Sequence, residues 1–309
     1  MVLTQRYTEY NNWAWLYNET MGPQYSNNQL RPLETLLLSH LPPAAKLLDL
    51  CCGTGHLVQL LLQKGYRVTG LDGSDEMLHY AQQNAPDGEF ILSDARSFDL
   101  PNQFNAVYSM SASLNHMMSL ADLTAVFHSV YVSLQENGLF LFDLNHPKQM
   151  QKWWINQVVE GEIHPTYAWY LTPVYHRVDQ TGYFQITLFQ APSRPTGNVF
   201  LQALKSLFYQ AIASPFSTRL RLKILSQFEF WQQDWQRSEI RYHVCGYPES
   251  EVIAALQTAG FTDVSTSTID GHSTIDSNHS AYFLCRKISC KTSHGTNHKS
   301  DRQTVPGAS

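Results

Sequence analysis

Leu47-Leu48-Asp49-Leu50-Cys51-Cys52-Gly53-Thr54-Gly55-His56 is the stretch that decides how this chain folds. Lys46–Leu50 reads as a short apolar strand. It runs into Gly53-Thr54-Gly55, and 57–64 follows as a helix. A strand that passes through a Gly-x-Gly turn into a helix builds a nucleotide site at the carboxyl edge of a sheet. The glycines permit the tight turn and let the backbone approach a ligand closely.

The pattern repeats outward from this loop. Strands are expected at 67–71, 89–92, 104–109 and 138–143, with helices at 75–84 and 122–134 between them. Ser74 is placed to cap the helix that begins at Asp75. Strands alternating with helices predict an α/β fold with a doubly wound, mostly parallel sheet. Upstream, the spacing predicts a helix over 6–18, a loop around Gly22-Pro23 and a second helix over 28–40, stopped by Pro42-Pro43. The alternation breaks after 145. Runs at 167–171, 175–178, 183–189 and 227–231 read as strands, with a turn at Asp179-Gln180-Thr181-Gly182 and a helix over 199–212. Arg219-Leu220-Arg221-Leu222-Lys223-Ile224-Leu225 reads as a half-buried strand with a basic face. The α/β pattern returns with a helix over 249–259, closed by Gly260, and a last strand over 281–286. The expected organisation is an N-terminal helical lid (1–40), a core (41–145), an inserted antiparallel β layer capping the acceptor site (146–241), a return to the core (242–288) and a disordered polar tail (289–309).

The loop also discriminates between ligands. A dinucleotide fingerprint requires a third glycine, and the sequence has Val58 there. Asp49 beside the loop would repel a pyrophosphate seated on the helix N-terminus. A carboxylate there suits a cation instead. S-adenosylmethionine has a sulfonium and an α-ammonium and no phosphate. Asp72, followed by Gly73, ends the second strand, where a carboxylate accepts ribose hydroxyls in either cofactor class. After the third strand, Asp94 is placed to accept the adenine amine and Ala95 to offer its backbone amide.

The residues Asp49-Leu-Cys-Cys-Gly-Thr-Gly, Asp72 and Asp94 resemble, in order and spacing, the class I S-adenosylmethionine-dependent methyltransferases. Asp94-Ala-Arg-Ser-Phe-Asp-Leu-Pro-Asn-Gln-Phe-Asn-Ala-Val and Ser113-Leu-Asn-His116 are similar to the branch containing the glycine/sarcosine and nucleotide-sugar-amine N-methyltransferases. The likeness covers about 45–145 well and 242–286 loosely. Cys51 and Cys52 replace the commoner glycine-rich spelling but are small enough for a tight loop. The resemblance implies a methyl transfer to a small-molecule nitrogen or oxygen. It also implies that Gly53 and Gly55 approach the methionine part, Asp49 the ammonium, Asp72 the ribose, and Asp94 and Ala95 the adenine. Cys51, Gly73, Arg96 and Met110 complete the cofactor candidates, Arg96 being equally suited to pair with a nearby acid.

His116 follows the fourth strand on the edge where an acceptor would approach, and it is the first candidate for a general base. The competing reading is a histidine packed on the cofactor or capping a helix. Tyr7 and Tyr17 are the next catalytic candidates. With Tyr10 and Trp13 they would also form an aromatic lid over the sulfonium. Trp169, Tyr170 and Trp231 are candidate walls of the acceptor pocket.

Other functions fare less well. A net charge of −5 disfavours a nucleic-acid partner. Five cysteines without a CxxC pair fit neither a disulfide framework nor zinc, so no metal is expected and a reducing cytoplasm is the simplest setting. No run approaches the roughly 20 apolar residues of a membrane span. The alternatives are a nicotinamide-dependent oxidoreductase, opposed by Asp49 and Val58, and a non-catalytic binding protein on the same fold.

Overall fold

The computed structural model describes residues 10–192, 199–212 and 217–288. Tyr7, the start of the expected helix over 6–18 and the tail after 288 lie outside them.

The core is a seven-stranded sheet. β1 (Lys46–Leu50), β2 (Arg67–Asp72), β3 (Glu89–Leu92), β4 (Phe104–Ser109) and β5 (Leu134–Leu144) are parallel, while β11 (Ala281–Arg286) runs antiparallel between β5 and β10 (Asp263–Ser267). The spatial order is β10-β11-β5-β4-β1-β2-β3. The chain winds outward from β1 to β3, then crosses back to β4. That reversal opens a crevice at the carboxyl ends of β1 and β4, where ligands of such sheets bind.

Strand periodicity divides the interior into two layers. Leu48, Leu50, Phe140 and Phe142 face one core, with Leu123 and Phe127 of α5 (Leu120–Ser133) and Leu256 of α10 (Glu249–Ala259). Leu47, Leu139 and Leu141 face the other, against Leu33 of α2 (Met21–Leu36) and Val58 and Leu61 of α3 (His56–Gln63). Both faces are covered, so the strands are apolar throughout rather than alternating. Ser74 caps α4 (Asp75–Asn84), its Oγ accepting from the Met77 amide at 3.1 Å.

The insertion, entered through α6 (Pro147–Trp153), forms a second, antiparallel sheet in the order β6-β7-β8-β9: β6 (Glu160–Ile163), β7 (Tyr167–His176), β8 (Thr181–Gln190) and β9 (Gln236–Cys245). One face packs Trp169, Ile186 and Tyr242 on Trp13 and on Leu16 of α1 (Ala14–Glu19). The other packs Ile163, Ala168 and Phe189 on a cover contributed by α7 (Val199–Ile212), α8 (Thr218–Leu225) and α9 (Phe228–Trp231). The β layer is therefore a filling between the N-terminal segment and its own helices.

Several local expectations are corrected. Gly22-Pro23 lies inside the first turn of α2, where a missing proline N–H costs nothing because first-turn amides have no intrahelical partner. The helix then ends at Leu36, followed by a 3-10 turn at Leu38–His40. The run at 167–171 and the start of the run at 175–178 form a single strand, β7, that continues through Pro173 and ends at His176, leaving Arg177 and Val178 in the turn. Beyond Leu171 that side of β7 no longer pairs with β6; an isolated bridge of Ile155 with Val174 lies there, with Asn156 donating its amide to the Pro173 carbonyl at 3.0 Å and Tyr175 donating to the Trp154 carbonyl at 3.2 Å. The proline therefore leaves no ladder bond unmade. Gln227–Trp231 is a short helical turn, and Arg219–Leu225 belongs to α8. Its Leu222 and Leu225 share one helical face on the cover's core, and Arg221 donates to the carbonyls of Gly161 and Ile212. Arginine, leucine and lysine favour helix, and among the described residues no strand pairs with this segment to fix a period of two. β6, β9 and β10 went unforeseen. β9 extends the second sheet to Cys245, past the boundary expected at 241.

Candidate active site

A cavity of about 360 Å³ opens at the crevice between β1 and β4. Its floor is the loop after β1 and the ends of the neighbouring strands: Cys51, Gly53, Asp72, Gly73 and Ala95. Gly53 has φ of 53° and Cys51 of 64°, so the loop turns through the left-handed region just where the backbone is exposed to the cavity. The Asp72 carboxylate organises this floor. Its Oδ2 accepts the Gly53 amide at 2.8 Å and its Oδ1 the Ser74 amide at 2.9 Å. Burial pushes its pKa up, and the amides of Ser74, Gly53 and Gly73 oppose that push.

The remaining cofactor candidates lie behind this wall. Asp49 is buried between β2 and β4 rather than on the cavity surface. Burial raises it to about 8, the Tyr108 hydroxyl pulls it down, and Asp72 adds to the rise. Gly55, with φ of 74°, faces α4 instead of the cavity; a Cβ there would sit 2.9 Å from the Cα and Cβ of Ala81. Met110 is packed in the core beside α2 and α3. Arg96 braces the turn that presents Ala95. It donates to Asp94 through Nε and Nη2, the latter at 2.6 Å, and to Asp122 at 2.9 Å. Asp94 and Arg96 thus share an ion-pair network beside the cavity, and Ala95 is the residue of that turn on its wall.

The N-terminal segment closes the cavity from above. Asn11 bonds Ser74 and Asp75, and Asn84 bonds both Asn18 and the Thr54 carbonyl. These bonds clamp the segment to the loop after β1 and to α4, and Tyr10, Trp13, Tyr17 and Tyr25 stand on the wall. The Tyr17 ring lies over Gly53, 3.5 Å from where a Cβ would stand. Burial and the charges of Asp49, Asp72 and Glu160 drive its phenol well above the ordinary range. Tyr17 therefore keeps its proton and is suited to donate a hydrogen bond, not to act as a base.

His116 also reaches the wall. It ends a 3-10 turn, Ser113–His116, after β4. Two left-handed residues, Ser111 (φ 62°) and Ala112 (φ 56°), redirect the chain into this turn. The Asp143 carboxylate holds them, accepting the Ala112 amide at 3.1 Å. Asn115 is buried and donates to the carbonyls of Asn145 and Cys245 while accepting the Asn145 amide. It ties the loops after β4 and β5 to the end of β9. The His116 ring sits between Tyr10 and Phe184, each with centroids 5.5 Å away.

The insertion supplies the outer wall: Trp154, Val159, Glu160, Leu171, Pro173 and Phe184. The three aromatics expected there lie elsewhere. Trp169 is in the second sheet's core, Tyr170 faces the helical cover, and Trp231 is exposed to solvent. Strand parity explains Tyr170, because Leu171 points to the cavity side and its neighbour points away; Trp169 shares the Leu171 face but is buried there against Trp13 and Tyr242. Glu160 and Tyr25 were not foreseen as site residues. Neither belongs to a local motif, and only the packing of β6 against α2 joins them.

Comparison with known proteins fits this geometry. Residues 47–138 match the family model described as a methyltransferase domain. An uncharacterized methyltransferase of Synechocystis is 34% identical over 158 residues, 49% of this chain and 71% of that protein. The chain belongs to the class I S-adenosylmethionine-dependent methyltransferases. Within this methyltransferase family it is also similar to the dTDP-3-amino-3,6-dideoxy-alpha-D-glucopyranose N,N-dimethyltransferase of Streptomyces fradiae, 30% identical over 139 residues, 45% of this chain and 51% of that protein. Apart from the Synechocystis protein, the match spans about half the length of these curated relatives. Among solved structures, an S-adenosylmethionine-dependent methyltransferase from Clostridium acetobutylicum superposes with a TM-score of 0.61 at 17% identity, covering 91% of this chain and 99% of that one. DesVI of Streptomyces venezuelae gives 0.60 at 18% identity, over 87% and 94%. These structures share the methyltransferase's fold. No helix among the described residues is long and apolar enough to cross a membrane, and no group of His, Cys, Asp and Glu among them is arranged to hold a metal ion.

Proposed function

We propose that this protein transfers a methyl group from S-adenosylmethionine to a nitrogen or oxygen of a small-molecule acceptor. The observation that carries the reading is a single cavity shared by two sets of residues. Gly53, Asp72 and Ala95 form its floor at the sheet's switch point, and His116 stands beside an apolar outer wall.

The residues suit this cofactor. The floor offers a carboxylate preset by two amides, a second buried acid behind it and no lysine or arginine among the described residues of the wall. That set favours a ribose and a positive charge and disfavours a pyrophosphate. When bound, S-adenosylmethionine supplies an activated methyl on a sulfonium. Asp72 would accept the ribose hydroxyls and the Ala95 amide would meet the adenine. Asp49 would act on the ammonium from behind the loop. The aromatic lid and the insertion's wall would exclude water and align the acceptor, the main requirement of a displacement at carbon. His116 would take the proton that an amine or hydroxyl must give up.

Isothermal titration tests the cofactor assignment directly. S-adenosylmethionine is expected to bind with micromolar-range affinity, and NAD is expected not to compete. Binding of NAD alone would reject the reading in favour of an oxidoreductase.

A further inference from the structure

Glu160 is the acid on the cavity wall to which the proposed cofactor contacts assign no part. It opens β6, far in sequence from every loop of the nucleotide edge, and it faces the cavity from the insertion's side with Val159, Leu171 and Pro173. Its position is fixed. The Tyr25 hydroxyl donates to Oε2 at 2.5 Å, and antiparallel pairing with Leu171 holds its backbone. The other carboxylate oxygen, Oε1, has no hydrogen-bond donor among the described residues.

Glu160 is half-buried, so its carboxylate keeps only part of its hydration and a partner of opposite charge is favoured beside it. Burial raises the Glu160 pKa, Tyr25 lowers it, and Glu162 raises it further. One neutral hydroxyl is a partial partner. A cation is the complete one. The surroundings favour the same charge, because aromatic faces attract cations and Tyr10, Trp13, Trp154 and Phe184 all stand on the wall. Among the described residues that line it, Asp72, Glu160 and His116 are the ionisable groups other than tyrosine and cysteine, and there is no lysine or arginine. Among the described residues, a phosphate or carboxylate entering this space would meet acids and aromatic faces with no lysine or arginine to receive it.

Resting on the methyltransferase reading above, we infer that the acceptor is a hydrophobic amine without phosphate or carboxylate groups, recognised by the Tyr25-oriented carboxylate of Glu160 within an aromatic wall. This would set the protein apart from any transferase whose acceptor carries a nucleoside diphosphate or several carboxylates.

The probes are phenethylamine, phenylalanine and 3-phenylpropionate. They share a ring and differ in charge. Each is titrated at pH 8 into the full chain saturated with S-adenosylhomocysteine, and binding is followed by tryptophan fluorescence. Phenethylamine is expected to bind at least about tenfold more tightly than either carboxylate-bearing probe, the scale of one hydrogen bond to a charged group. Glu160→Gln is nearly isosteric and is expected to lose most of that preference while S-adenosylmethionine affinity, read by calorimetry, stays within about twofold. Three results would overturn the inference: equal or tighter binding of a carboxylate probe, no binding of phenethylamine, or an unchanged preference in Glu160→Gln. Loss of S-adenosylmethionine affinity in Glu160→Gln with amine binding intact would also overturn it, by moving Glu160 onto the cofactor's ammonium. The wild-type comparison stands even if the variant does not fold. Failure of the methyltransferase reading itself is separately visible as absence of S-adenosylmethionine binding to the wild type.

Discussion

His116 Nδ1 lies 3.1 Å from the backbone carbonyl oxygen of His243. A carbonyl only accepts, so Nδ1 carries the hydrogen, and in the neutral ring Nε2 is the nitrogen with the lone pair. The end of the second sheet thereby sets the tautomer of a side chain supplied by the first. His116→Ala is expected to lower turnover by at least about 100-fold, the lower end for acid–base catalysis, with cofactor affinity nearly unchanged. A screen of amines and phenols for release of S-adenosylhomocysteine supplies the assay. A loss below tenfold would assign the catalysis to alignment alone and remove His116 as the base.

Asp72 joins the loop after β1 to the turn after β2 through the amides of Gly53 and Ser74. Asp72→Ala should weaken S-adenosylmethionine binding by about 1–3 kcal/mol, the scale of a lost charged acceptor. Calorimetry on the folded variant measures it. An unchanged dissociation constant would take Asp72 out of the site.

Gly55 and Gly65 both have positive φ, 74° and 89°, but only Gly55 is crowded, by Ala81. Gly65→Ala should cost about 1–2 kcal/mol, the left-handed penalty of an ordinary residue. Gly55→Ala should cost about 1–3 kcal/mol more, because a methyl must be forced between α3 and α4. Urea unfolding of the two variants compares them, and equal losses would contradict the packing role given to Gly55.

Burial raises the Asp143 carboxyl to about 7, against the lowering effect of the Ala112 and Ser111 amides. An unfolded aspartate titrates near 3.9. The folded state therefore holds the proton more tightly. Its contribution to stability is fully present below about pH 4 and is lost as pH rises through about 7. Asp143→Asn cannot ionise and keeps an oxygen for the Ala112 amide. Its stability relative to wild type should improve between pH 5 and pH 8 by roughly 1–4 kcal/mol, at 1.36 kcal/mol per pKa unit. The other buried acids are common to both proteins, so the difference isolates Asp143. The same stability offset at both pH values would show that Asp143 does not titrate in this range.

The sequence by itself determined the nucleotide edge. Lys46–Leu50, Glu89–Leu92, Phe104–Ser109 and Ala281–Arg286 are strands with the bounds read from the chain, as Asp75–Asn84, Val199–Ile212 and Glu249–Ala259 are helices. Ser74 caps α4, and Gly260, with φ of 112°, closes α10. These features are local. Buried parallel strands are short apolar runs, caps act within one helical turn, and a Gly-x-Gly turn requires its own glycines. The places of Gly53 and Asp72 on the cavity floor were legible because they follow from position at a strand's end. The tertiary structure alone decided which faces meet. A period of two says that Tyr170 and Leu171 point oppositely but not which one meets the cavity. An alternation of arginine and leucine at 219–225 is compatible with strand or helix until a neighbouring element offers a surface. Glu160 and Tyr25 are 135 residues apart, and nothing in either segment names the other. Local pattern encodes conformation and the polarity of a face, whereas the partner of that face is chosen by burial summed over the whole chain. For that reason the loop after β1 could be read from ten residues, and the outer wall of the cavity only from the packed fold.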